Sequence, residues 1–247
     1  MLRLLGFLVR MIIRVKVIVI SMAVGAGIAF ALSMRQESHT WGLDAADQAR
    51  SLPGDDLVAS PAHVETRSLL VDALPATIWP LLVAMGYGRG GWYSYPILDR
   101  AWSTMGPRAK GRSAETAPPT TLVEGDRVPT QPGGGFVARV VEADRALVLF
   151  LDAAELREQV EEQAAEGSKE ARQALDRMDE MPAFALSWAF VLEPEPGGRT
   201  RLIERVRLHM DVSGGQKRAL PLMGLGLFAF VRRQMLGIKS RAEAGAG

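Results

Sequence analysis

Large apolar and polar residues alternate with a period of two in two segments near the C-terminal end of the chain. In residues 183–193, every second residue is large and apolar, from Phe184 to Leu192. Residues 199–211 separate a mostly apolar side from a side that carries arginines. Because successive side chains of a strand point to opposite faces, this pattern predicts two long strands joined by a turn at 195–198. We expect the arginine side of the second strand to face solvent.

Shorter segments predict the other elements of the domain. Strands are predicted at 64–71, 136–142 and 145–151, and residues 123–128 predict a turn that leads into a strand. A hairpin connection is predicted at 133–135, and short helices at 75–85 and 92–105. Residues 220–243 predict one long helix whose first half is apolar on all sides. That half either is buried or touches lipid, and we predict burial against a sheet. The order of elements predicts an α+β domain in which an antiparallel sheet curls around the C-terminal helix and leaves a cavity.

Residues 152–181 have the composition of a charged helical insertion. They contain ten acidic residues against four basic ones, and a narrow stripe of mostly small apolar residues runs through them at spacings of three and four. This pattern favours a solvated helical insertion that lies on the domain or projects from it. A docking surface for a basic protein partner is the alternative.

The N-terminal region contains an uncharged apolar segment at residues 17–34. As a helix, it would be about 27 Å long, close to the thickness of the hydrocarbon core of a bilayer. We therefore predict a membrane anchor over 1–35, a polar linker over 36–61, and a folded domain over 62–247. A cleaved signal peptide is the alternative, since Ala29-Phe30-Ala31 fits a cleavage site.

Four basic residues precede the apolar segment, whereas the charges that follow it are mixed. The positive-inside rule then predicts a single-pass membrane protein with a cytoplasmic N-terminus and an extracytoplasmic domain. The rest of the composition excludes several functions. The chain has no cysteine and only three scattered histidines, so we expect neither a metal nor another cofactor. Its basic residues form no stripe interleaved with aromatics, so nucleic acid is not an expected partner.

Residues 86–91 fit the G-x-G-x-x-G pattern of dinucleotide-binding loops. Such a site requires a strand before the glycines and a helix after them, but here they follow a predicted helix. We instead predict a tight turn that brings Trp92, Tyr93 and Tyr95 to the rim of the cavity. Arg89 in this turn is a candidate for holding an acidic ligand headgroup, with a structural hydrogen-bonding role as the alternative.

Glu204 lies on the apolar side of the second long strand. A carboxyl group there must be paired, hydrated or protonated. It is a candidate polar anchor or general acid/base inside the cavity, while a salt bridge with a nearby arginine or an outward-turning β-bulge is the alternative. Trp188 and Phe136 are predicted core residues that also line the cavity.

Several segments resemble a known superfamily. Residues 66–95 (TRSLLVDALPATIWPLLVAMGYGRGGWYSY), 187–193 (SWAFVLE), 198–202 (GRTRL) and 235–243 (MLGIKSRAE) resemble bacterial, polyketide cyclase/dehydrase-like members of the START/Bet v 1-like (SRPBCC) superfamily. The resemblance spans about residues 56 to 243 and excludes the anchor. It implies a helix-grip fold with a cavity for lipids, polyketides or other apolar ligands, but it implies no single reaction.

The sequence thus predicts a membrane-anchored binding or carrier domain for an apolar small molecule or lipid. The candidate ligand-binding residues are Glu204, Arg89, Trp92, Tyr93, Tyr95, Trp188 and Phe136. One alternative is a cyclase/aromatase-type enzyme that uses acid/base residues in the cavity. Because no convergent set of titratable residues is visible, we assign no catalytic residue. The other alternative is an interaction module that docks a partner through the acidic insertion.

Overall fold

The computed structural model describes residues 41–43, 49–94, 121–131, 133–211 and 215–246. The predicted transmembrane segment 17–34, Tyr95 and most of the helix predicted at 92–105 lie outside these ranges. The described elements are a 3-10 turn at Asp56–Val58, β1 (His63–Val71), α1 (Pro75–Val83), β2 (Arg127–Gln131), β3 (Gly134–Glu142), β4 (Ala146–Asp152), α2 (Ala153–Ala165), α3 (Lys169–Met178), β5 (Phe184–Glu195), β6 (Arg199–Met210) and α4 (Gly215–Gly245). Within the described ranges, no helix combines the length and hydropathy needed to cross a bilayer.

The six strands form one antiparallel sheet in the order β1-β6-β5-β4-β3-β2. The two strands predicted from period-two alternation are β5 and β6, which pair along their full length as a hairpin. The α+β class, the antiparallel sheet and the long C-terminal helix are therefore confirmed.

The sheet has an inner face that carries the main hydrophobic core. Large apolar side chains from β4, β5 and β6 lie on this face, and residues of α1 and α4 pack against them. The fully buried members include Ile78, Leu82, Leu147, Leu149, Phe190, Leu202, Met235 and Ile238. The alternation in β5 and β6 therefore has the predicted cause, namely one face packed against helices.

The outer face of β6 is covered, so the prediction of a solvent-facing arginine side is wrong. Arg205 is only 3% exposed. Its Nη1 donates to Asp55 Oδ2 at 2.7 Å and to the Arg50 carbonyl at 2.9 Å, and its Nε donates to Thr66 Oγ1 at 2.9 Å. Residues 49–60 lie over this face and supply both partners of Nη1, while Nη2 is buried without a hydrogen-bond partner among the described residues.

The same segment adds a small apolar cluster on the outer face. Leu52 packs against Val191 of β5 and Ile203 of β6. The outer face of the hairpin is thus built from a few apolar contacts together with arginine bonds to a segment distant in sequence.

Residues 152–181 form two helices that pack on each other. Asp152 accepts from the Glu155 N–H to begin α2, and Ser168 accepts from the Ala171 N–H to begin α3. The small apolar residues predicted as a stripe form the contact between the helices: Val160, Ala164, Ala171 and Met178. The carboxamide of Gln159 joins α2 to the sheet by accepting from and donating to the peptide groups of Gly135, both at 2.9 Å.

Candidate ligand-binding site

Glu204 lies in the middle of the inner face. Its neighbours in the sheet are Arg67 of β1 and Phe190 of β5, and it is 1% exposed. The indole Nε1 of Trp188 donates a hydrogen bond to Glu204 Oε1. Glu204 Oε2 is buried and has no hydrogen-bond partner among the described residues. One oxygen of a fully buried carboxyl group is therefore unused.

A chain of charged groups from β1 lies beside Glu204. Arg67 donates to Oε2 of Glu65, and His63 Nε2 lies 2.8 Å from the other oxygen of Glu65. The Arg67 guanidinium also lies 5.2 Å from the ring centroid of Phe228 in α4. Two carboxyl groups thus share one buried arginine, and the arginine hydrogen-bonds to Glu65.

The two carboxyl groups have opposite protonation properties. Burial raises the pKa of Glu204 to about 8, against the opposing effects of the Arg67 charge and the Trp188 hydrogen bond. Burial also acts to raise the pKa of Glu65, but bonds to His63 and Arg67 outweigh it and the pKa is lowered. At neutral pH, Glu65 is therefore ionised and pairs with Arg67, while Glu204 carries a proton.

An aromatic cluster surrounds the Trp188 indole. Trp92 stacks on it with centroids 5.3 Å apart and planes 8° from parallel. Phe136 meets it edge-on at 5.7 Å, and Phe230 of α4 lies at 6.1 Å. The structure therefore brings together four of the predicted site residues, since Glu204, Trp188, Trp92 and Phe136 form one connected group.

Tyr93 is buried next to this group, but its hydroxyl has a structural partner. The hydroxyl donates to the Leu81 carbonyl at 3.0 Å, and the Arg241 guanidinium lies 4.8 Å from the ring centroid. The backbone of Tyr93 has a φ of 54°, a left-handed conformation that is unfavourable for a bulky side chain. These contacts fix the turn against α1 and α4.

Arg89 lies at the free edge of β2, where Nη2 donates to the Arg127 carbonyl at 3.0 Å. The adjacent Tyr87 N–H donates to the Pro129 carbonyl at 2.6 Å. The glycine-rich turn therefore protects an edge strand. Nη1 of Arg89 is buried and has no hydrogen-bond partner among the described residues. The contacts of Arg89 do not connect it to the Glu204 group.

The inner face becomes less buried toward one end of the β5–β6 hairpin. Trp188 and its partner Val206 are buried, whereas the next inner-face pair, Leu186 and Leu208, is partly exposed. His63, opposite Leu208 on β1, is 31% exposed at its side chain. Apolar surface thus extends from the Glu204 group toward solvent.

A cleft of about 400 Å³ lies elsewhere, on the side of the sheet covered by residues 49–60. Its lining includes Arg50, Leu52, Arg145, Val191 and Glu193. This cleft was not predicted, and it is separate from the Glu204 group. The described side chains contain no grouping of three His, Asp or Glu residues able to hold a metal ion.

Sequence reasoning singled out Glu204 but missed His63, Glu65 and Arg67. Their signal was available, because alternate residues of β1 place these three on the same side as the buried Val71. Glu65 and Arg67 on the inner side of β1, together with Glu204 on the inner side of β6, indicate a buried cluster of charged groups.

Neither a protein-family model nor a curated protein matches the chain. Three solved structures show a limited likeness: the Mll3558 protein from Rhizobium loti (14% identity, 71% of this chain and 96% of that chain, TM-score 0.30), the TTHA0849 protein from Thermus thermophilus (11%, 75% and 100%, 0.29), and an uncharacterized protein from Rhizobium leguminosarum (14%, 72% and 97%, 0.27). Likeness at this level carries no argument about function.

Proposed function

We propose that this protein is a membrane-anchored binding or carrier domain for an uncharged apolar small molecule or lipid, with Glu204 as the polar anchor. The unused Oε2 of Glu204 carries the proposal. A buried polar group without a partner is costly, and such groups are rare except where a ligand, water or catalytic role accounts for them.

The hydrogen bond from Trp188 fixes which oxygen of Glu204 is available. Oε1 accepts from the indole, so the proton of the neutral carboxyl group belongs on Oε2. The site therefore offers a hydroxyl donor and lacks an acceptor. A carbonyl or ether oxygen of an uncharged ligand would supply it without leaving a buried charge unpaired.

The surrounding aromatic and aliphatic surface would supply most of the affinity. Apolar contact area removed from water contributes roughly 25 cal/mol per Å², and one polar contact sets the orientation of the ligand. The described rings pack on one another around Trp188, so the bound molecule extends from Glu204 along the partly exposed apolar surface at Leu186 and Leu208.

The sheet and the C-terminal helix are compatible with a helix-grip fold of the START-like kind, and we propose that fold for residues 62–247. We further propose that residues 17–34 anchor the protein in a membrane, with the N-terminus cytoplasmic and the domain extracytoplasmic. A domain held at a bilayer, with apolar surface partly exposed at Leu186 and Leu208, is suited to exchanging an apolar molecule with the membrane.

A second candidate function is general acid catalysis by Glu204. The observation that favours it is a neutral carboxyl group with a pKa of about 8 and an unused O–H, which is the state that a general acid requires near neutral pH. A cyclase-type reaction on a carbonyl compound would use this proton. Turnover of a bound ketone that Glu204→Gln abolishes, while binding is retained, would establish the enzyme.

Native mass spectrometry of the full chain released from detergent tests the binding function. We expect the wild-type protein to carry an uncharged apolar molecule and Glu204→Leu to lose most of it. Glu158→Leu is the matched control, because Glu158 is a glutamate of α2 outside the Glu204 group, and this variant should retain the molecule. Wild-type protein without any bound molecule, at every detergent concentration, would overturn the proposal.

A further inference from the structure

Gln234 is another buried polar residue with an unused oxygen, a feature that it shares with Glu204 and Gln163. It lies in α4 and is 0% exposed. Its Nε2 lies 3.6 Å from the sulfur of Met85, a weak acceptor, and its Oε1 has no hydrogen-bond partner among the described residues. A glutamine placed against a thioether in the core gains little for stability.

The two other buried glutamines of the described residues bond to peptide groups. Gln163 Nε2 donates to the carbonyls of Gly133 and Gln159, although its Oε1 is also unused. Gln159 uses both ends of its carboxamide, which bond to the peptide groups of Gly135. A Met or Leu at position 234 would fill similar space without burying an unpaired carbonyl. The structural role of Gln234 therefore does not explain its polarity.

Gln234 and Glu204 are both linked to the same aromatic cluster. Phe230 is one helical turn before Gln234, so the two side chains share a face of α4. Phe230 lies against Trp188, which hydrogen-bonds to Glu204. Met85, the neighbour of Gln234, belongs to the same core as Trp92 and Trp188. Helix α4 thus carries an acceptor without a partner, Gln234 Oε1, and strand β6 carries a carboxyl oxygen without a partner, Glu204 Oε2.

We infer that Gln234 is a second polar contact of the ligand, and that its carboxamide oxygen accepts a hydrogen bond from a hydroxyl group of that ligand. The inference rests on the proposed function and narrows the ligand class. The molecule has an apolar framework that carries one acceptor oxygen, for Glu204, and a separate hydroxyl, for Gln234. Hydroxylated ketones of polycyclic or acyl-chain type have this chemistry.

Chalcone is a suitable probe, because its carbonyl oxygen is an acceptor and it has no hydrogen-bond donor. Two derivatives of chalcone each add one donor, a hydroxyl group in the para position of one ring or of the other. Affinities are measured by titration calorimetry on the detergent-solubilised full chain at pH 6.5. We expect wild-type protein to bind one hydroxy derivative about tenfold more tightly than chalcone, the effect of one buried hydrogen bond. Gln234→Met should abolish that preference.

Two comparisons separate this inference from the proposed function. Glu204→Leu should weaken all three probes while the preference for the hydroxy derivative remains. Gln159→Met, the same substitution at a bonded glutamine, should lower the thermal unfolding midpoint, whereas Gln234→Met should not. An unchanged preference in Gln234→Met would overturn the role of Gln234 alone. Absence of binding of every probe to wild-type protein would overturn both.

Discussion

Arg67 and Glu204 are register partners across β1 and β6, yet Arg67 donates a hydrogen bond to Glu65, two residues away on its own strand. The arginine charge therefore stabilises one carboxylate directly and the other only at a distance. Burial raises the pKa of Glu204 to about 8, and the more distant arginine charge does not offset it, so Glu204 is protonated at neutral pH. The same buried cluster therefore contains one neutral carboxyl group, Glu204, which can donate a hydrogen bond, and one ionised carboxyl group, Glu65.

Glu204 makes stability depend on pH in a defined window. Its pKa is raised on folding, so the folded state binds a proton that the unfolded state releases as pH rises above about 4.5. This contribution to the free energy of unfolding is full below that pH and is lost as pH rises through about 8, by about 1.4 kcal/mol per pH unit. Urea denaturation between pH 5 and 8 measures it.

Glu204→Gln is the control for this pH dependence, since the amide mimics the neutral acid. The variant should lack the loss of stability between pH 5 and 8. Glu65 does not contribute in this window, because its lowered pKa acts only at more acidic pH, where its contribution is lost as pH falls. The same slope in the variant and the wild type would contradict a protonated Glu204.

Removal of the indole N–H should affect Glu204 directly. Trp188→Phe leaves Glu204 Oε1 without its donor, so we expect a further rise in the pKa of Glu204 and a loss of about 1–3 kcal/mol in the free energy of unfolding. Trp92→Phe is the matched control, because its ring stacks on Trp188, whereas the indole bond to Glu204 comes from Trp188. NMR titration of the carboxyl carbon measures the pKa of Glu204 in each variant. Equal changes of this pKa in Trp188→Phe and Trp92→Phe would refute the role of the indole.

The cover of the outer face can be tested at Arg205. Arg205→Gln removes the buried ion-pair partner of Asp55 and leaves it with Arg207, whose Nη1 lies 3.5 Å from Asp55 Oδ1. We therefore expect the free energy of unfolding to fall by about 1–3 kcal/mol. Arg199→Gln, at an exposed position of the same strand, should change it by less than about 0.5 kcal/mol. Chemical denaturation of both variants measures the difference, and a small effect at Arg205 would mean that residues 49–60 do not cover β6.

Gly237 of α4 lies close to the backbone of Tyr93. A Cβ atom at this position would lie 2.3 Å from the Tyr93 carbonyl oxygen. Gly-to-Ala changes inside helices ordinarily stabilise by up to about 1 kcal/mol, but here we expect Gly237→Ala to destabilise by about 1–3 kcal/mol. Gly245→Ala, where the nearest atom is 4.0 Å away, is the control and should not destabilise. Thermal unfolding of the two variants separates the outcomes.

The sequence predicted those features that depend on local periodicity. The length and faces of β5 and β6, the long C-terminal helix, and the inward position of Glu204 all follow from residue spacing. The cover over Arg205 could not be predicted, because it comes from residues about 150 positions away along the chain. The choice of Arg67 between Glu65 and Glu204 also depends on side-chain geometry that spacing does not encode.

The pKa of Glu204 with and without a bound ligand tests the central claim most directly. Carboxyl carbon NMR of the solubilised full chain, titrated with and without saturating chalcone, gives both values. A ligand that accepts a hydrogen bond from the protonated carboxyl group favours that form, so the account predicts that chalcone raises the pKa of Glu204 above about 8 and binds less tightly at higher pH. A pKa unchanged by bound chalcone would contradict the assignment of Glu204 as the polar anchor.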